Sequence, residues 1–153
     1  MSMDIVLATR FGPSSAEPAA VAAELAHRYD GRLTVVYVAV ELEALNAIGG
    51  ESGVDPHDER ERMLAGIHEE LRQFVADNLS AEDVTTRVVE GGHVADAVTD
   101  IAREIGADFL VVGTRGRGKL ARLILGDTTQ SILHNTPCPV VVVPLHEPDG
   151  EGA

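Results

Sequence analysis

The sequence predicts an α/β domain, a parallel sheet covered by helices on both faces. Three observations carry that expectation. Short apolar runs alternate with helical patterns along the whole chain, which is the βαβ signature. Four of the five runs are continuously apolar rather than alternating, as strands buried on both faces must be. The 153 residues, 44% hydrophobic but only 3% aromatic, suffice for one domain whose core is built from Val, Leu, Ile and Ala.

The elements follow in order. Ile5 to Thr9, IVLAT, is the first buried strand. GPSSAEP then starts a helix, with Ser14 or Ser15 as cap and Pro18 tolerated in the first turn. That helix is expected to run to Gly31, a C-terminal cap. Leu33 to Val40, LTVVYVAV, is the second strand. Residues 41 to 56 lose periodicity and carry Gly49, Gly50, Gly53 and Pro56, so they read as a mobile loop.

From His57 to Leu79 the pattern is helical, with Met63, Ile67, Leu71, Phe74 and Val75 on one face. Residues 84 to 90 alternate as a third strand, and Gly91 and Gly92 turn the chain. A helix from about His93 to Glu104 groups Val94, Ala97, Val98 and Ile101, and Gly106 ends it. Phe109 to Val112 is the fourth strand, followed by a glycine-rich loop and a helix from about Thr128 to His134. Val140 to Val143 closes the series, ended by Pro144. Residues 1–145 form the expected domain, and residues 146–153 an acidic tail expected to be disordered.

Charge narrows the function classes. The net charge is −13, and Lys119 is the only lysine among 12 basic residues. Such a balance opposes binding to nucleic acid or to an anionic membrane, and a lysine-poor acidic surface suggests a host with high internal salt. No apolar run has the length of a membrane span. The start, MSMDIVLATR, lacks the basic region of a signal peptide. A single cysteine, Cys138, leaves no internal disulfide. Together these imply a cytoplasmic protein.

In open parallel sheets ligands sit at the carboxyl ends of strands where the winding reverses. The loops after strands one, two and four are therefore the candidate site, and the last of these carries the chemistry. GTRGRGKLARLILGDTTQ, residues 113–130, holds Gly113, Gly116 and Gly126, with Arg115, Arg117, Lys119 and Arg122 between them. Elsewhere signals are weak. The histidines have no zinc spacing, and there is no G-x-S-x-G elbow or Walker lysine. DPHDERE around Asp55, His57 and Asp58 reads as a solvated helix start. Cys138, between Pro137 and Pro139, reads as a small core residue rather than a nucleophile.

IVLAT, the segment VVEGGHVADAVTDIAREIGADFLVVGTRGRG and the segment LILGDTTQSILHNTPCPVVVVP together resemble the universal stress protein family over about residues 3 to 144. The most specific part is that family's ATP motif of three glycines, matched by Gly113, Gly116 and Gly126. The resemblance implies a Rossmann-like single domain, akin to the adenine nucleotide α-hydrolases, with strand order 3-2-1-4-5. It further implies a nucleotide between strands one and four, and a homodimer joined through the last strand, Val140, Val141, Val142 and Val143. On this likeness Thr9 and Val38 would line the adenosine end, Val112 would lie under the base or ribose, and the glycines would let backbone N–H groups approach the phosphates, with Thr128 the next donor.

Two residues depart from the family pattern. Asp127 stands where a serine or threonine donates to phosphate; an ionised carboxylate only accepts. At about 4 Å and an effective dielectric of about 20, one like-charge pair costs on the order of 4 kcal/mol before screening. Arg10 stands where the first strand usually ends in aspartate. One reading has Arg10 and Asp127 paired, directly or through water, across an empty crevice, in a stress-response signalling module with an unknown protein partner and weak or no ATP binding. Against that pairing, Asp127 and Gln130 have the spacing of a capping box. The other reading has Arg10 and the basic loop, Arg117 included, holding ATP or AMP with Mg as a switch, with at most slow hydrolysis.

Overall fold

The computed structural model describes residues 2–11, 15–48, 55–79, 83–114 and 125–144. Its elements in chain order are β1 (Asp4–Ala8), α1 (Ala16–Arg28), β2 (Arg32–Val38), α2 (Glu41–Ile48), α3 (Pro56–Asn78), β3 (Val84–Val89), α4 (Val94–Ile105), β4 (Phe109–Gly113), α5 (Asp127–Asn135) and β5 (Val140–Val143). The strands form one sheet in the order β3-β2-β1-β4-β5, and every adjacent pair is parallel. This is the expected architecture. Ile5 in the central strand pairs with Leu33 on one side and Phe109 on the other, so β1 makes no contact with a sheet edge.

Because successive strand residues face opposite sides, the aliphatic runs feed two cores. Ile5, Leu7, Leu33, Val35 and Val111 pack under Ala19 and Ala22 of α1 and under Leu71, Phe74 and Val75 of α3. Val6, Val36, Val38, Leu110 and Val112 pack under Val98 and Ile101 of α4 and Ile132 of α5. Leu71, only 1% exposed, is a representative member; burying such a side chain is worth about 2 kcal/mol.

Helix boundaries follow local chemistry. Asp55 caps α3, its carboxylate accepting from the His57 N–H at 3.0 Å, with Pro56 in the first turn. Gly106 ends α4 at φ +71°, a left-handed cap that a glycine adopts without strain.

Three expectations need correcting. Residues 41–48 are not loop but helix α2. Its Leu42, 1% exposed, packs with Ala39 and with Ile67 of α3, a long-range contact that local periodicity does not reveal. The second strand stops at Val38 rather than Val40, because the Val40 N–H turns back to the Val38 carbonyl at 3.0 Å. After α1 the left-handed residue is Asp30, at φ +50°, not Gly31. Gly31 is a glycine for another reason: a Cβ there would lie 2.8 Å from the Met3 carbonyl oxygen. The expected loop glycines Gly49, Gly50 and Gly53, the basic loop from Arg115 to Arg122, and the tail lie outside the described residues.

Among the described residues no helix is long and apolar enough to cross a membrane.

Candidate functional site

The carboxyl ends of β1, β2 and β4 open into a crevice of about 610 Å³, the size of a small-molecule pocket. Its floor is aliphatic: Val36, Val38, Val98, Val112 and Ile132 line it and belong also to the core beneath. Thr9, Arg10, Val38, Val112, Gly113, Gly126, Asp127 and Thr128, eight of the residues predicted from the sequence, all line it. The remaining two, Gly116 and Arg117, lie outside the described residues.

The β1 wall is set by backbone bonds. The Thr9 N–H donates to the Val36 carbonyl at 3.0 Å, which carries the sheet pairing one residue past β1. Phe11 then takes φ +62°. That conformation costs a bulky L-residue roughly 1–2 kcal/mol. The Ser15 hydroxyl fixes the turn by donating to the Phe11 carbonyl at 2.9 Å. The same turn stacks the Phe11 ring on Tyr37, with centroids 4.3 Å apart and planes 15° apart. Aromatic pairs contribute roughly 0.5–1.5 kcal/mol beyond area burial, so the stack offsets much of the strain.

At the β2 wall the Tyr37 hydroxyl donates to Glu41 Oε2 at 2.7 Å. Burial, and then this bond, hold the Tyr37 hydroxyl well above the ordinary tyrosine range, with Arg10 opposing the shift. The other Glu41 oxygen, Oε1, is buried and has no hydrogen-bond partner among the described residues. Glu41 lines the crevice with Tyr37 and Phe11. None of these three was predicted as a site residue. A single Glu in a first helical turn carries no signal of its own, and only the fold shows that Tyr37 reaches it.

At the β4 wall Val112 and Thr114 are 3% and 1% exposed, and the Thr114 N–H donates to the Val143 carbonyl at 3.0 Å. Helix α5 begins opposite. Its cap is Gly126, in extended conformation (φ −68°, ψ 167°), with no side-chain cap bond. The expected capping box is therefore absent. Asp127 lies inside the first turn, and the Gln130 side chain reaches back to the Leu125 carbonyl at 3.0 Å. A Cβ on Gly126 would meet nothing within 4 Å among the described residues.

Arg10 and Asp127 both face the crevice and both are exposed. The expected direct pair between them does not form: the ion pairs among the described residues join other partners. Among the described residues no cluster of three or more His, Cys, Asp or Glu side chains could hold a metal ion. Cys138 packs at the edge of the second core, where burial pushes its thiol up.

Comparison with known proteins places this architecture. Residues 1–144 match the family model described as the universal stress protein family. A Staphylococcus epidermidis relative bearing the universal stress protein name is 34% identical over 87 residues, 57% of this chain. A Staphylococcus aureus counterpart is 36% identical over the same length. The chain spans about half the length of these relatives, 49% in each case. Among solved structures, universal stress protein UspA from Lactobacillus plantarum superposes with a TM-score of 0.66 at 23% identity, covering 92% of this chain and 97% of that one. A universal stress protein in complex with cAMP gives 0.60 at 22% identity, covering 92% and 95%. The Archaeoglobus fulgidus protein in complex with dAMP gives 0.65 at 19%, covering 92% and 97%. At these identities the structures establish the shared fold.

Proposed function

Since the chain belongs to the universal stress protein family, we propose that it is a homodimeric stress-response module whose crevice takes a nucleoside monophosphate and holds ATP weakly. The observation that carries this reading is the open crevice of about 610 Å³ at the carboxyl ends of β1, β2 and β4. Its α5 end supports an anion: first-turn N–H groups and the helix dipole face a ligand phosphate where no described side chain caps them. Structural neighbours hold cAMP and dAMP, each with one phosphate. Asp127 supports the preference for few phosphates, since its carboxylate repels added negative charge at that helix end. Arg10 supplies a compensating cation on the β1 wall. The family, the absence of a membrane-crossing helix among the described residues and the lone cysteine support a cytoplasmic location. Occupancy of the crevice alters the surface offered to a protein partner.

Isothermal titration in molar potassium chloride tests the reading. AMP is expected to bind in the micromolar range and Mg-ATP at least about tenfold more weakly. Asp127→Ser should close the gap. Heat of binding for neither ligand, with binding restored by the pair Arg10→Asp and Asp127→Ser, would instead make the native chain a nucleotide-free signalling module. Silence from both chains would end the nucleotide reading.

For the dimer, β5 is an edge strand. Its Val143 carbonyl, and the carbonyl of Pro139 just before it, face β4. In a parallel ladder the alternate residues Val140 and Val142 then turn their backbone groups outward. An apolar edge of this kind is suited to pairing with a second copy. Val142→Pro removes one outward N–H and should yield monomers in light scattering; an unchanged dimer would place the interface elsewhere.

A further inference from the structure

The orphaned oxygen of Glu41 points to a polar subsite at the β2 end of the crevice. We infer that Glu41 Oε1 accepts a hydrogen bond from an N–H or O–H donor on the nucleoside portion of the ligand, with Tyr37 holding the carboxylate in place. The inference rests on the nucleotide reading above and names the residue that would set its selectivity.

Three observations converge. Glu41 lines the crevice rather than the outer surface. One of its oxygens is fixed by the Tyr37 hydroxyl at 2.7 Å, so the carboxylate is oriented. The other is buried and unpaired among the described residues, and an unmatched buried charged acceptor is costly unless a donor arrives. Arg10 is the obvious internal candidate, since it lines the same crevice, yet it forms no ion pair with Glu41.

Charge and spacing decide which part of the ligand reaches it. Glu41 repels phosphate as Asp127 does, but the α5 end also offers first-turn N–H groups at Gly126 and the Arg10 cation across the crevice, so phosphate belongs by α5. Between β2 and β4 lies only β1, which separates the two ends by about 10 Å, two interstrand spacings. That distance suits a nucleoside monophosphate lying across β1. The group at Glu41 is then a sugar hydroxyl or a base amino group; both donate to a carboxylate in the same way. Phe11, stacked on Tyr37, keeps the Tyr37 ring from turning its hydroxyl away.

The test is titration of AMP, 2′-deoxy-AMP and IMP against the native chain, Glu41→Gln, Glu41→Ala and Tyr37→Phe. The native chain should lose about tenfold or more in affinity for the analogue that lacks the donor at Glu41, a step that corresponds to about 1.4 kcal/mol. Loss with 2′-deoxy-AMP assigns the hydroxyl, and loss with IMP the amino group. Glu41→Ala should bind AMP about tenfold more weakly and no longer distinguish that analogue. Glu41→Gln keeps the shape and an acceptor without the charge, so it should fall between the two and guard against a folding artefact. Tyr37→Phe should weaken discrimination more than it weakens AMP binding. If the native chain binds AMP and both Glu41 variants bind and discriminate as it does, the inference is wrong and Oε1 holds solvent only. If the native chain binds none of the three, the nucleotide reading itself fails, and the assignment of Glu41 with it.

Discussion

The Tyr37–Glu41 bond makes a quantitative prediction about stability that needs no ligand. At 2.7 Å it joins a hydroxyl to a carboxylate in a partly buried setting, and bonds to charged groups contribute roughly 1.5–3 kcal/mol. Tyr37→Phe removes the only donor this carboxylate has within the described chain, since its second oxygen is already unpaired. The expected loss is about 2 kcal/mol, or about 4–8 °C in Tm for a domain of this size. Glu41→Ala alone should cost less, because a tyrosine hydroxyl at the crevice wall can turn to water. In the double variant the penalty for the stranded carboxylate vanishes, so the two losses should not add. A coupling of about 1–2 kcal/mol is expected from the cycle. The chain has no tryptophan, so urea unfolding should be followed by far-ultraviolet circular dichroism. Additivity within about 0.5 kcal/mol, the range seen for independent sites, would refute the reasoning and mean the bond carries no net stability.

Three further outcomes are expected. Leu71→Ala empties a site that is 1% exposed and should cost about 3 kcal/mol, lowering Tm by about 6–12 °C; a loss below about 1 kcal/mol in urea melts would contradict the packing. Because the Tyr37 hydroxyl is held above the ordinary range, the folded chain keeps a proton that the unfolded chain releases near pH 10. Its contribution is therefore complete below that pH and is lost as pH rises above it, and chemical melts of Tyr37→Phe should show a shallower alkaline decline than the native chain. Burial likewise pushes the Cys138 thiol up, so iodoacetamide at pH 8 should label the native protein several-fold more slowly than the urea-unfolded one; equal rates would show the thiol to be open.

The fold was legible because its signals are redundant. Each buried strand announces itself as an aliphatic run, and α4 as a stripe through Val98 and Ile101 that the structure buries. The parts that escaped depend on contacts remote in sequence. Helix α2 is held by Leu42 meeting Ile67 across 24 intervening residues, while its flanking glycines suggested a loop. Asp127 looked like a cap by spacing alone, but Gly126 is extended and takes that place. Opposite charge at Arg10 and Asp127 suggests a pair whose direct form the geometry does not make. Glu41 was invisible for the converse reason. Acids in a first turn are usually solvated, and only Tyr37, four residues back on β2, gives this one a direction.

The aliphatic floor of the crevice has a consequence for how any ligand is chosen. Val38, Val112 and Ile132 offer a base no aromatic face to stack on, and Phe11 and Tyr37 each spend one ring face on the other. Ring identity therefore enters the binding free energy mainly as size and area. Purines of similar outline should meet that floor almost as equals, and the task of telling them apart passes to the few polar atoms around its edge. On the proposed nucleotide reading, exchanging rim residues would retune the ligand without disturbing a single core contact.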